Sequence, residues 1–358
     1  MEKINLKGKT ISELETLMTE RGHSAFRAKQ LFLWINQKRV SEFEQMTNLS
    51  KAFRQQLAEE FCLTSVSAQL KESSVEDGTQ KYLVTLPDGN TVESVYIPME
   101  NRTTLCVSTQ VGCKMACSFC ATGYQQFTRD LQSWEIVDQL LSIEYPKPIT
   151  NIVVMGMGEP FDNYEQLKKA LEIFQHPMGP QIGKRHITVS TVGLTDKIVD
   201  FLGDNLGKLA ISLHGTTDEQ RSSIMPVNRR FPMKEMLERC RHLTLKGRTR
   251  ITFEYLMIRD LNDSDEDAHR LAKILRGIPS KINLLAYNEN PFIDFKRPSE
   301  NRVHRFQNIL INSGYTATYR KSRGRDIAGA CGQLRTQEGR ALSVAKRNRE
   351  ARAAAFTH

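Results

Sequence analysis

From Leu105 onward the chain repeats one pattern, a short apolar run followed by a stretch of helical periodicity. The runs are Leu105–Thr109, Asn151–Met155, His186–Thr191, Lys208–Leu213, Ile251–Ile258 and Lys281–Tyr287. Runs spaced by roughly 20–45 residues suit βα units, and hence a parallel sheet or barrel. Six units fall short of the eight that close a barrel, so the expected fold is α/β, a partial (β/α)6 TIM-like barrel. The runs finish in polar groups or glycine turns, namely Gly156-Met-Gly-Glu159, Ser190, Ser212 with His214, and Asn288. In βα architectures that edge of the sheet holds the ligand, and four such endings point to a shared one.

The 358 residues amount to about two domains, and the remainder lies mainly upstream. Thr10-x-x-Glu13 makes a capping box ahead of Ile11, Leu14, Leu17 and Met18. A second helix carries Leu31, Trp34 and Ile35 on one face, Ser41-x-x-Glu44 opens a third capped turn, and Ser50 a fourth with Phe53 and Leu57. This pattern predicts a small helical domain over 1–75. The period then drops to two, and Lys81–Leu86, a Pro87-Asp-Gly-Asn90 turn and Thr91–Ile97 predict a β-hairpin linker or extension over 76–100. The barrel is expected over 101–334, followed by a basic tail, 335–358. That tail carries nearly half of the net charge of +9. A basic balance favours a polyanionic partner such as nucleic acid only weakly, and the tail reads equally well as an RNA contact or as a solvated end. No run of about 18 apolar residues exists, which excludes a membrane helix. The N-terminus is polar from the start and lacks the apolar region of a signal peptide, so the cytoplasm is the expected compartment.

Seven cysteines, an odd number in a reducing compartment, raise metal or redox chemistry rather than a disulfide framework. Cys113-x3-Cys117-x2-Cys120 places three thiolates in one loop after a strand, a spacing that converges on a small inorganic cluster. Structural zinc wants four ligands, and no CxxC or HxxxH pair supplies the fourth. Three thiolates on a four-iron cluster instead leave one iron open to a cofactor or substrate.

The segment Cys113-Lys-Met-Ala-Cys-Ser-Phe-Cys120, followed by Ala-Thr-Gly123, resembles the radical S-adenosylmethionine signature, CxxxCxxC with an aromatic before the last cysteine. The resemblance extends over nearly the whole chain to the RlmN/Cfr family of RNA adenosine methyltransferases. Its carriers are Leu105-Cys-Val-Ser-Thr-Gln-Val-Gly-Cys113, Met155-Gly-Met-Gly-Glu-Pro160, Ile211-Ser-Leu-His214, Met225-Pro-Val-Asn228 and Ala330-Cys-Gly-Gln-Leu334. Arg320-Lys-Ser-Arg-Gly324 is more similar to the RlmN branch than to Cfr. The segment Ile327-Ala-Gly-Ala330 departs from the acidic-alanine stretch expected before the reactive cysteine.

The resemblance implies a radical-SAM partial barrel, a 4Fe–4S cluster on Cys113, Cys117 and Cys120, and two molecules of S-adenosylmethionine per turnover. It implies contacts to that cofactor from Gly158, Glu159, Ser190, Ser212, Leu213, His214 and Asn288. It further implies that Cys331 is methylated, that a radical formed on that methyl group adds to C2 of adenine, that Cys106 resolves the adduct through a transient disulfide, and that Glu93 accepts the base's proton. Adenine C2 is an electron-poor carbon, so a radical route is the chemistry such a target demands. Implied partners are 23S rRNA at the peptidyl-transferase centre, tRNA at the adenosine 3′ of the anticodon, and an electron donor such as flavodoxin. The enzyme is expected to act as a monomer.

Taken singly, these residues have plainer readings. Cys106 reads as a small buried hydrophobe on a strand, Glu93 as part of a solvated hairpin face, the strand-end serines as backbone caps, and His214 as a structural histidine. Cys62 and Cys240 sit in helical contexts and read as packing. The rivals are C8 methylation, as in Cfr, and a non-catalytic iron–sulfur or zinc RNA-binding module.

Overall fold

The computed structural model describes residues 3–245, 247, 249–290 and 293–335. The first part is helical, with β1 (Ile4–Asn5), α1 (Ile11–Glu20), α2 (Ala25–Asn36), α3 (Lys51–Glu60) and β2 (Phe61–Cys62). The Thr10/Glu13 capping box forms as expected, and the Ser50 side chain accepts from the Phe53 amide. The third capped turn is shifted by one residue. Gln45, not Glu44, receives the Ser41 and Glu42 amides, and the short helix starts at Phe43. Cys62 lies on β2, paired with β1, rather than in a helix. Cys240 is helical and buried.

A ten-stranded sheet carries the rest. Its strands are β3 (Ser67–Ser73), β4 (Gln80–Thr85), β5 (Thr91–Met99), β6 (Arg102–Val107), β9 (Asn151–Val154), β10 (Ile187–Thr191), β11 (Lys208–Ser212), β12 (Ile251–Met257), β13 (Ser280–Ala286) and β14 (Ala317–Tyr319). The two-residue strands β7 (Gln110–Val111) and β8 (Arg129–Asp130) pair beside it. Helices α4 (Ser133–Leu141), α5 (Tyr164–Gln175), α6 (Thr195–Asp204), α7 (Asp218–Ile224), α8 (Met233–Arg241), α9 (Asp265–Ile274) and α10 (Glu300–Asn312) supply the crossovers.

All six expected runs are strands, and β6 and β9 to β13 pair in parallel in chain order. The short β14 adds a seventh parallel strand. Because β14 and β3 end the sheet unpaired with each other, the barrel stays open. The predicted hairpin is β4–β5, and it is part of this sheet: β5 pairs antiparallel with β6, with Val95 opposite Cys106. Thus β6 joins the antiparallel and parallel parts.

The helical part docks on the start of α4. Lys7 Nζ reaches the Asp138 carboxylate at 2.9 Å, both groups being buried, and the other carboxylate oxygen accepts the Val66 amide at 3.0 Å. Ser133 Oγ donates to the Gly8 carbonyl. Gly8 has φ +72°, and a Cβ there would stand 2.3 Å from the Trp134 nitrogen, so only glycine lets the two backbones meet this closely. Among the described residues, no helix is long and apolar enough to cross a membrane.

Candidate active site

At the C-terminal ends of the parallel strands lies a cavity walled by Cys113, Cys117 and Cys120 on one side and by Gly158, Glu159, Ser190, Ser212 and His214 on the other. The loop after β7 supplies the cysteines. It is pinned to α7 by the Ser118 amide, which donates to the Ile224 carbonyl at 2.9 Å. Burial, then the neighbouring Cys113 and Cys120, push the Cys117 thiol well above the ordinary range, and burial raises Cys120 too. Thiolates held this way form only against compensating positive charge, as metal ligands do.

Opposite the cysteines, Gly158 turns at φ +103°, and a Cβ would meet the Gln110 side chain at 2.7 Å. The turn presents Glu159, which is buried; its carboxylate accepts from Thr191 Oγ1 (2.7 Å), the Val192 amide (2.9 Å) and the Phe161 amide (3.1 Å). Burial pushes its carboxyl up to about 7, against the pull of those three donors. Ser190 and Ser212 face each other, Oγ to Oγ, at 3.4 Å. His214 Nδ1 accepts the Leu256 amide at 3.1 Å, so the ring hydrogen sits on Nε2. Burial, then Arg221, hold this imidazole down at about 3, and it stays neutral. Leu213 does not line the cavity. Its amide donates to the Glu254 carbonyl, and its own carbonyl accepts from Arg221, so it supports the neighbours that do. Asn288 is also set back from the wall. Its Nδ2 donates to the Cys331 carbonyl at 3.2 Å, while its Oδ1 is buried without a partner.

Cys331 stands where this cavity meets a second, larger one. Its exposed surface faces the two cavities that it lines. The thiol is pushed up by the surrounding burial, with Arg320 pulling it back. Cys106, buried on β6, lines the second cavity with it. Burial and then Cys331 raise the Cys106 thiol to about 12. The two cysteines of the expected exchange pair are therefore brought together. The segment carrying Cys331 is laced on both flanks. Gly332 and Leu334 accept through their carbonyls from the Ala121 amide and Thr122 Oγ1 of the cysteine loop. On the hairpin side, Lys81 donates to the Ile327 carbonyl and the Gly324 amide to Asp77.

Glu93 is buried, not on a solvated face, because this C-terminal segment covers β5. Its carboxylate accepts the Arg335 amide at 2.8 Å and lies 4.0 Å from Lys81 Nζ. It lines neither cavity. Glu254 does line both, beside Cys331 and Arg320, and sequence reasoning missed it. Its one signal was a lone carboxylate inside the apolar run Ile251–Met257, where burial raises its carboxyl and Arg320 opposes the shift. Arg221 was also missed. It is fully buried and held by the Leu213, Val192 and Ser212 carbonyls and by Asn228.

The Radical SAM superfamily model matches residues 107–272, and with three cysteines on an open parallel barrel this defines the class as radical S-adenosylmethionine proteins. The model of the ribosomal RNA large subunit methyltransferase N-terminal domain matches residues 4–63. The dual-specificity RNA methyltransferase RlmN of Geotalea uraniireducens is 46% identical over 342 residues, 96% of this chain and 99% of that one. The Geobacter sulfurreducens RlmN is 45% identical, covering 93% of this chain and 92% of its own. A radical SAM methyltransferase from Sphaerobacter thermophilus superposes with a TM-score of 0.87 at 41% identity, over 93% of this chain and all of that one. The chain belongs to the RlmN family of dual-specificity RNA methyltransferases. The class brings a 4Fe–4S cluster and S-adenosylmethionine. The cavity fits both, with the three thiols of Cys113, Cys117 and Cys120 on one wall, a carboxylate and two hydroxyls opposite, and the unpartnered Asn288 oxygen behind.

Proposed function

We propose that this protein methylates C2 of adenosine in 23S rRNA and in tRNA, at the adenosine 3′ of the anticodon. What supports this reading is Cys331 on the wall shared by two cavities, with Cys106 lining one of them. Cys113, Cys117 and Cys120 hold the cluster, and Gly158, Glu159, Ser190, Ser212, His214 and Asn288 surround S-adenosylmethionine. Bound there, cluster and cofactor supply a methyl group from one molecule and a 5′-deoxyadenosyl radical from a second. Cys331 carries the one-carbon unit between the cavities, so that it is loaded on one side and spent on the other. Cys106 then attacks the Cys331 sulfur, forming a disulfide as the bond from that sulfur to the one-carbon unit breaks. The electron pair of that bond goes to the carbon side, which takes a proton to become the methyl group, and the electron donor later reduces the disulfide. The Cys106 thiol, at about 12, is protonated at neutral pH and must lose that proton as it attacks. Glu93 takes the proton of the base, which requires the segment that places the Arg335 amide on its carboxylate to shift so that the base can reach it. The helical part that precedes the sheet holds RNA, an electron donor such as flavodoxin supplies electrons, and the protein works as a cytoplasmic monomer.

The test is mass spectrometry of RNA from a strain lacking its own enzyme of this family and complemented with this chain. The expected product is 2-methyladenosine in both rRNA and tRNA. Finding 8-methyladenosine instead would assign the Cfr chemistry, and finding neither would sink the reading.

A pH profile tests Glu159. A carboxyl raised to about 7 is charged above that pH and neutral below it. Attraction for the ammonium group of the cofactor is therefore present above about 7 and is lost as the pH falls through it. Equilibrium dialysis of S-adenosylmethionine against cluster-loaded protein should show affinity dropping about tenfold per pH unit below 7 at first. Glu159→Gln should bind weakly and show no such dependence. A wild-type profile as flat as that of the variant would exclude the charge role.

A further inference from the structure

The larger cavity, of about 630 Å3, opens at the other end of the barrel from the cysteine loop. Its mouth is formed where the parallel strands begin, by Arg102 on β6, Arg185 just before β10, Lys208 on β11 and Lys281 on β13. None of these four cations is in an ion pair among the described residues. They face one another, since Lys281, Arg102 and Arg185 all add to burial in lowering the Lys208 ammonium. Arg320, Lys321 and Arg323 also line the cavity, and the lone carboxylate of the lining, Glu254, stands at the inner end beside Cys331. Like charges held around one opening repel unless an anion enters among them. The volume lies within the range of about 300–1,000 Å3 typical of ligand sites, enough for a nucleotide turned out of its stack.

We propose that this mouth receives the RNA, with the phosphates flanking the target nucleotide lying on Arg102, Arg185, Lys208 and Lys281. The base then reaches Cys331 from the side opposite to that used by S-adenosylmethionine. This inference rests on the methyltransferase reading above and adds a route and a set of phosphate-binding cations to it.

The experiment is fluorescence anisotropy of an anticodon stem-loop RNA with cluster-loaded protein, across a salt series. The variants are Lys208→Ala/Lys281→Ala and, as a matched control on the outer helices, Lys234→Ala/Lys273→Ala. Each cation that neutralises a phosphate contributes about 1 to the slope of log affinity against log salt. The slope of the first pair should therefore fall by about 2, and that of the control should not change. Relief of repulsion should also leave the thermal midpoint of the RNA-free Lys208/Lys281 variant at or above that of wild type, which separates weakened phosphate binding from misfolding. Wild-type binding with an unchanged slope in the Lys208/Lys281 variant, or an equal fall in the control, overturns the route and leaves the methyltransferase reading intact. A wild type that binds no RNA overturns both. Inorganic phosphate or adenosine monophosphate displacing RNA at equal phosphate concentration would make the mouth a small-anion site and overturn the proposal.

Discussion

Cys331→Ala is expected to abolish RNA methylation completely, while Cys106→Ala stops the reaction at a covalent protein–RNA adduct. The loss at Cys331 should be total because Cys331 is the one thiol, among the described residues, that lines both cavities. No other cysteine sulfur on the described walls touches the cofactor side and the second chamber together. Asn288 and the cysteine loop hold its backbone from two directions, so the alanine variant keeps the fold of the segment. Its cluster absorbance should accordingly match that of wild type. At Cys106 the outcome differs in kind, since in the proposed sequence the carbon transfer precedes its step. A denaturing gel of labelled RNA should show a slow band for Cys106→Ala and none for Cys331→Ala. Methylated RNA from Cys331→Ala, or free product at the wild-type rate from Cys106→Ala, would overturn the assignment.

The largest expected effect on stability belongs to Asp138→Ala. This carboxylate is fully buried and accepts from Lys7 Nζ through both oxygens and from the Val66 amide. Truncation leaves a buried ammonium and a buried amide without their acceptor, a cost of about 3–5 kcal/mol. The loss falls on the seam between the helical part and α4. Chemical denaturation should show a lower midpoint for the variant, with residues 4–63 released first to protease. The double variant Lys7→Met/Asp138→Leu, which removes both charges, should recover most of the loss. If Asp138→Ala unfolded like wild type, the ion pair would not be what holds this seam.

The barrel was legible in the sequence because its strands leave short, regularly spaced runs rich in apolar residues, and their polar ends marked the edge where Glu159, Ser190, Ser212 and His214 now stand. The cysteine loop was legible from spacing alone. The proposed pairing of Cys106 with Cys331 was not, and rested on motif resemblance, since nothing local links a strand cysteine to one near the other end of the chain. Glu93 illustrates the same limit. Alternation with Val92 and Val95 made one face look solvated, and the residues that bury it lie more than 200 positions away. Glu254 escaped notice for the opposite reason, because a single carboxylate hardly disturbs an apolar run. Three residues were too few to announce β14. The cap at Phe43 slipped by one because Glu44 and Gln45 are both suitable partners, and only the backbone geometry chooses between them. The basic tail beyond Arg335 lies outside the described residues.

The lacing of the Cys331 segment has a consequence for how the protein is made. Its hydrogen bonds from Lys81 to Ile327, from Gly324 to Asp77, from Thr122 to Leu334 and from Arg335 to Glu93 join positions 246, 247, 212 and 242 residues apart. Contacts that close such long loops are the slowest to form, and none of them exists until the chain is nearly complete. The wall that Cys106 and Cys331 share is therefore completed only after residues 318–334 have been made, so the second cavity is among the last features of the fold to take shape.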